Sequence, residues 1–149
     1  MVSLFRALGD VGHHDHLALS AAIRDALGQL RGSGPLFLIS DFLDADWPAA
    51  VRLLAARDQH DVLLQVLAPD EWDPPLGDEV ELQDSESGEL RQTRFGPSER
   101  NAYRARLAAF VEDIAASTRR LGLRHLALNT AEPLADTLLK RLPAAGILR

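Results

Sequence analysis

The sequence has 149 residues, enough for one domain with a core of its own, and 46% hydrophobic with 26% charged residues excludes a disordered chain. A net charge of −6, with few aromatic residues interleaved among the arginines, argues against nucleic-acid binding. There are no cysteines, which excludes disulfides, zinc–thiolate sites and thiol nucleophiles and suits a reducing, cytoplasmic compartment.

Met1–Arg6 lacks a basic region followed by an apolar run, so no signal peptide is predicted. No stretch approaches the roughly 20 apolar residues of a membrane helix. Val2–Leu8 is a short apolar segment, and Gly9–His16 reads as a polar loop with three histidines. Leu19, Ile23, Ala26, Leu27 and Leu30 fall at helical spacing, with Asp15 as a candidate cap and Gly32 and Gly34 as the stop. Pro35–Ser40 is a continuous apolar run, as in a strand covered on both faces. Asp41–Asp46 is an acidic loop. Asp46 is placed to cap a helix that carries Pro48 in its first turn and Trp47, Ala50, Val51 and Leu54 as its stripe.

Asp61–Leu67 is the second buried strand, and Pro69–Pro75 a turn-rich linker. Val80–Leu82 and Leu90–Phe95 alternate around Ser87–Gly88, the pattern of a solvent-facing hairpin. A long helix is predicted from Pro97 to Leu121, with Tyr103, Leu107, Phe110, Ile114 and Leu121 on one face. Arg124–Leu128 is the third strand. A last helix opens at Glu132–Pro133, with Leu134, Leu138 and Leu142 turned inward. Strand and helix alternate three times, so the economical solution is a small parallel sheet with helical crossovers plus a peripheral hairpin, in one α/β domain over residues 1–149.

Charge is unevenly spread. Asp41–Glu89 holds fourteen acidic residues against Arg52 and Arg57, whereas Pro97–Arg149 holds nine basic against five acidic. Solvated faces account for this, and a dipolar surface that orients a protein partner is the sharper alternative. Asp41 follows the first buried strand, where ligands of open α/β sheets gather. Asp44 and Asp46 could add oxygen ligands for a hard cation, although capping is the commoner job for aspartate at such places. His13, His14, Asp15 and His16 form the densest set of metal-ligand types, but adjacent residues rarely converge on one centre. Glu71, Asp73, Asp78 and Glu79 lie in the linker and read as solvated. No nucleophile elbow, Walker-type loop or Gly-x-Gly-x-x-Gly is present, so no catalytic residue is assigned.

Leu38–Asp44, Leu63–Ala68 leading through Pro69 to Asp73–Pro75, Asn101–Leu107 and Leu128–Leu134 resemble, in order and spacing, a bacterial family of unknown function, domain of unknown function fifty-eight. The resemblance runs from about Gly12 onward. It implies a von Willebrand factor A-like, Rossmann-like three-layer fold and a role beside MoxR-type AAA+ ATPases in assembling or maturing protein complexes. It also implies a metal held by an Asp-x-Ser-x-Ser motif, a Thr and a late Asp. Asp41 matches the late Asp and His14 stands near the Thr, while the Asp-x-Ser-x-Ser strand is absent. The chain is therefore either a carboxyl-terminal piece of a longer protein or a shortened member. No metal site is expected, with Asp41, His14 and Asp15 the weak candidates, and no cofactor unless a missing amino-terminal motif supplies a divalent cation.

The resulting expectation is a non-enzymatic interaction module with Asp41, Asp44 and Asp46 as its contact surface. The alternative is a small metal-dependent hydrolase using the His13–His16 loop and Asp41. Without its first strand, the 35–40 edge is expected to be open; either two copies meet along it, or residues 1–8 fold back to shield it, or the missing segment is supplied by a partner, with a homodimer the preferred form.

Overall fold

The computed structural model describes residues 18–30, 34–57, 59–75, 79–83, 90–94 and 96–147. The predicted metal-ligand types in the His13–His16 loop, with the apolar Val2–Leu8 segment, lie outside them, as does Asp78. Helix α1 (Leu19–Gln29) leads to strand β1 (Phe37–Ser40), helix α2 (Trp47–Ala55) and strand β2 (Val62–Leu67). A one-turn helix α3 (Pro69–Trp72) precedes the hairpin strands β3 (Glu79–Gln83) and β4 (Leu90–Arg94). Helix α4 (Pro97–Arg120), strand β5 (Arg124–Asn129) and a helical tail over 134–144 complete the order.

The sheet order is β1-β2-β5, all parallel, in register Phe37↔Val62 and Val62↔Arg124. The parallel direction is the predicted one, and each crossover contains a helix, as is usual between parallel neighbours. β3 and β4 pair antiparallel in a separate two-stranded sheet, the predicted hairpin.

Alternation along the strands splits the core in two. Leu36, Leu38 and Leu63 face a cluster formed with Ile23 of α1, Ala50, Val51 and Leu54 of α2, and Ile114 of α4. Trp47 and Phe110 meet edge to face within it, ring centroids 6.3 Å apart. On the other face Val62 and Leu64 pack with Leu126, Leu128, Leu142 and Ile147. Helices on one side, sheet between and tail on the other make three layers.

A buried carboxylate sets the register. Asp61 is fully buried; its Oδ1 accepts the Leu36 N–H at 2.8 Å, and its Oδ2 faces Arg57 Nε at 3.3 Å. Arg57 also donates to the Gly34 carbonyl, so both sides of the β1 entry are held by one ion pair.

Three expectations need correction. First, β1 is not covered on both faces: Phe37 is 42% and Ile39 63% exposed. β2, by contrast, is buried at five of six positions. Second, the last helix does not turn Leu134 and Leu138 inward. Leu134 is 70% exposed, and Thr137 and Leu142 are the buried residues. Thr137–Arg141 forms a π-helical turn, whose wider pitch breaks the i, i+4 stripe. The tail is anchored there by Arg141, which reaches Glu132 at 2.7 Å and the Ala127 carbonyl at 2.8 Å. Third, Leu121 lies beyond the end of α4 and is exposed. Thr118 takes the interior position, its hydroxyl donating to the carbonyls of Ile114 and Ala115.

Candidate functional site

Asp41 sits at the carboxyl end of β1, as its sequence position requires, and its side chain is exposed. The backbone around it is tightly held. Ser40 Oγ accepts the Phe42 N–H at 3.0 Å, and Asp41 Oδ1 accepts the Leu43 N–H at 3.0 Å. Between them Phe42 has φ of +62° and is fully buried. A left-handed conformation is costly for a residue with a bulky side chain; here it drives the Phe42 ring into the α1–α2–α4 core. Leu43 is left on the outside, 59% exposed next to Asp41.

Asp44 and Asp46 are occupied elsewhere. Asp44 Oδ2 accepts the Leu19 N–H at 3.0 Å, and Asp46 Oδ2 accepts the Ser20 N–H at 3.1 Å. These are among the first N–H groups of α1, which no intrahelical carbonyl can satisfy, and helix amino-termini favour negative charge. Ala18, the residue at the local cap position, has no side-chain oxygen to offer. Asp46 stands at the N-cap position of α2, but its side chain makes no bond to that helix. The expectation that Asp46 caps its own helix is thus corrected: with Asp44 it caps the helix before it, where Asp15 was the sequence candidate. The Asp44 carboxyl is held below the usual carboxylate range, first by the Asp46 N–H and then by the Leu19 N–H.

Behind the loop runs a polar chain that the sequence reading did not single out. Gln65, fully buried in β2, donates from Nε2 to the Asp41 carbonyl at 3.2 Å. Its Oε1 lies 3.1 Å from His125 Nε2 on β5. Since the amide nitrogen is committed to Asp41, Oε1 must accept, and His125 Nε2 carries the hydrogen. Burial pushes the His125 pKa below the ordinary imidazole value, with Glu112 opposing the shift. The available signal was a Gln inside the apolar run Val62–Leu67, since a buried amide must find partners.

Of the linker carboxylates, Glu71 and Asp73 are not merely solvated. Glu71 accepts the Ala68 N–H, closing α3, and Asp73 pairs with Arg104 Nη2 at 2.7 Å. The Arg104 contact holds the Asp73 carboxyl below its usual range. Tyr103 donates its hydroxyl to the Glu71 carbonyl at 2.6 Å. A groove of about 350 Å³ between α2 and α4, lined by Trp47, Val51, Arg52, Arg120 and Leu121 among others, contains neither carboxylate nor imidazole.

The metal implied by the resemblance does not fit the described residues. Asp41 offers one carboxylate, while those of Asp44 and Asp46 are turned onto the α1 amino-terminus. No group of three His, Asp or Glu converges among the described residues. A hard cation prefers six or more oxygens.

Fold and site together define a three-layer α/β domain with a small parallel sheet and a hydrogen-bonded acidic loop at the carboxyl end of β1. The sequence matches the family described as "Protein of unknown function DUF58" over residues 5–116, and the chain belongs to that family. It is 37% identical over 102 residues to the uncharacterized proteins Mb1516 of Mycobacterium bovis and Rv1480 of Mycobacterium tuberculosis, covering 67% of this chain and 32% of each relative. It is 36% identical over 103 residues to the uncharacterized protein MAV169 of Mycobacterium avium, covering 67% of this chain and 59% of that protein. The chain therefore spans about a third of the length of the first two relatives. The crystal structure of conserved hypothetical protein BatB from Bacteroides thetaiotaomicron aligns over 97% of this chain and 69% of that one, at 12% identity and a TM-score of 0.47.

Proposed function

We propose that this chain is a non-enzymatic protein-interaction module that works in the cytoplasm, without a cofactor of its own, beside a MoxR-type AAA+ ATPase in assembling or maturing protein complexes. One observation carries the reading. Asp41 and Leu43 are presented together to solvent on a loop whose backbone is fixed on both sides of the buried Phe42. A charged and an apolar group held rigidly side by side suit protein recognition, because little side-chain and loop entropy is lost on contact. Asp44 and Asp46 add negative potential to the same surface even though their oxygens are hydrogen-bonded. The module also self-associates as a homodimer through the 35–40 strand.

Calorimetry against the purified MoxR-type ATPase of the same organism tests the first part. Binding should weaken at least about tenfold for the Asp41→Asn/Leu43→Ala double variant, as for a central contact. No binding by the unaltered chain, or equal binding by the double variant, would overturn it. A zinc titration separates the alternative: tight binding lost on changing His14 and His16 would instead favour a metal-dependent hydrolase using the His13–His16 loop with Asp41.

A further inference from the structure

The groove between α2 and α4 takes no part in the reading above. Its apolar lining is half-buried Trp47, buried Val51 and exposed Leu121. Trp47 is steadied by its edge-to-face contact with Phe110. Each helix also contributes one exposed guanidinium, Arg52 from α2 and Arg120 from α4. Arg57, Arg104, Arg119 and Arg141 are paired with carboxylates. Among the described residues, Arg52 and Arg120 are not. Arg120 Nη2 donates to Ser117 Oγ at 3.0 Å, which holds that guanidinium at the groove with other N–H groups to spare. Both arginines stand in the last turns of their helices, where positive charge is favourable. That accounts for cations at two helix ends. It does not account for an accessible apolar lining between them.

We infer that this groove binds an acidic segment of a partner protein, a leucine-like side chain lying against Trp47, Val51 and Leu121 and its flanking carboxylates on Arg52 and Arg120. The planar guanidinium matches a carboxylate with two parallel hydrogen bonds. Two such contacts, one from each helix, fix a segment across the groove, and the apolar lining selects what lies between its charges. The volume of about 350 Å³ is at the lower end of ligand clefts, about 300–1,000 Å³, and suits a short segment better than a folded face. Nucleic acid fits less well. A net charge of −6 repels a phosphate backbone, and two guanidiniums neutralise little of it. The groove is opposite in sign to the Asp41 loop, so the chain offers one acidic and one basic contact, each selecting its own complement.

The test is fluorescence anisotropy of the 149-residue chain with a fluorescein-labelled peptide in which two leucines are flanked on each side by two glutamates. Saturable binding with a Kd below about 1 mM is expected. Arg52→Ala/Arg120→Ala should weaken it at least about tenfold, and so should Leu121→Asp; all three positions are exposed, so circular dichroism should match the parent chain. Glycine in place of the peptide's leucines, or glutamine in place of its glutamates, should cost as much. In Trp72→Phe, Trp47 is the remaining tryptophan, and its emission should shift as the peptide binds. No saturable binding, equal binding by the double variant, or Trp47 emission unchanged at saturation would overturn the proposal. Equal affinity for the leucine-free peptide would reduce it to charge attraction, and equal affinity for a single-stranded oligonucleotide would give the groove to nucleic acid; either overturns it. So would a dimer in sedimentation that Arg52→Ala/Arg120→Ala abolishes, since the occupant would then be a second copy. Asp41→Asn/Leu43→Ala should leave peptide binding unaltered, so failure at the ATPase surface is distinguishable from failure in this groove.

Discussion

β1 and β2 lie side by side in the same sheet and have similar apolar sequences, Phe37–Ser40 and Val62–Leu67, yet they meet different surroundings. β2 has a strand on each side and helices or tail on each face, and only Val66 is less than buried. β1 has one strand neighbour and one covered face among the described residues. An apolar run therefore states what a strand needs, not what the fold has provided. Need and provision differ at Phe37 and Ile39, which are apolar and exposed.

The comparison can be broken most sharply at the residue that joins the two strands. Asp61→Ala leaves Arg57 without its buried partner and the Leu36 N–H without an acceptor. It should cost about 3–5 kcal/mol in urea denaturation, and a loss below about 1 kcal/mol would show that the strands do not depend on this clamp. Next comes a matched pair of truncations. Leu63→Ala at the centre of β2 should cost about 3 kcal/mol, whereas Ile39→Ala in β1 should stay within about 0.5 kcal/mol. Equal costs would mean that β1 is covered after all.

Gln65→Leu keeps volume but strands the Asp41 carbonyl and the His125 N–H. The expected loss is about 1–3 kcal/mol, with weaker ATPase binding as the Asp41 loop loosens. A smaller effect comes from pH. The folded His125 pKa lies below its unfolded value of about 6.5, so the unfolded chain takes up the proton first. Stability is full above that value and falls as pH drops through it toward the folded pKa. Denaturation midpoints at pH 7.5 and 5.5 should show this, and the His125→Gln variant should flatten the difference. Smallest of all, Arg104→Ala removes a surface pair with Asp73 and should cost at most about 1 kcal/mol in thermal denaturation.

Much of the fold was legible because it rests on local signals. Apolar runs placed the first two strands, and the helical stripe Trp47, Ala50, Val51 and Leu54 placed the crossover between them. What failed was whatever depends on distant chain. Asp46 looks like the cap of α2 because that helix begins at the next residue, but the cap position of α1 is Ala18, which has no side-chain acceptor, and the fold brings both carboxylates to that helix. The inward stripe of Leu134, Leu138 and Leu142 assumed a regular α-helix, which the π-helical turn removes. The position of Asp41 was readable from the end of its strand. Its support, Gln65 and His125, was not, because those residues are joined only when β2 and β5 pair.

That late pairing also orders the assembly of the sheet. The crossover from β1 to β2 spans residues 41–61, whereas the excursion from β2 to β5 spans residues 68–123 and carries the hairpin and α4. Loop-closure entropy alone separates the two by only about 0.9 kcal/mol, but synthesis separates them further. At ribosomal speeds of about 5–20 residues per second, β5 emerges roughly 3–12 s after β2. Throughout that interval the most apolar strand of the molecule has one partner instead of two, and its far edge is bare. Until β5 arrives, a nascent chain of this design carries an unpaired apolar strand edge, the kind of surface that makes folding intermediates prone to aggregate.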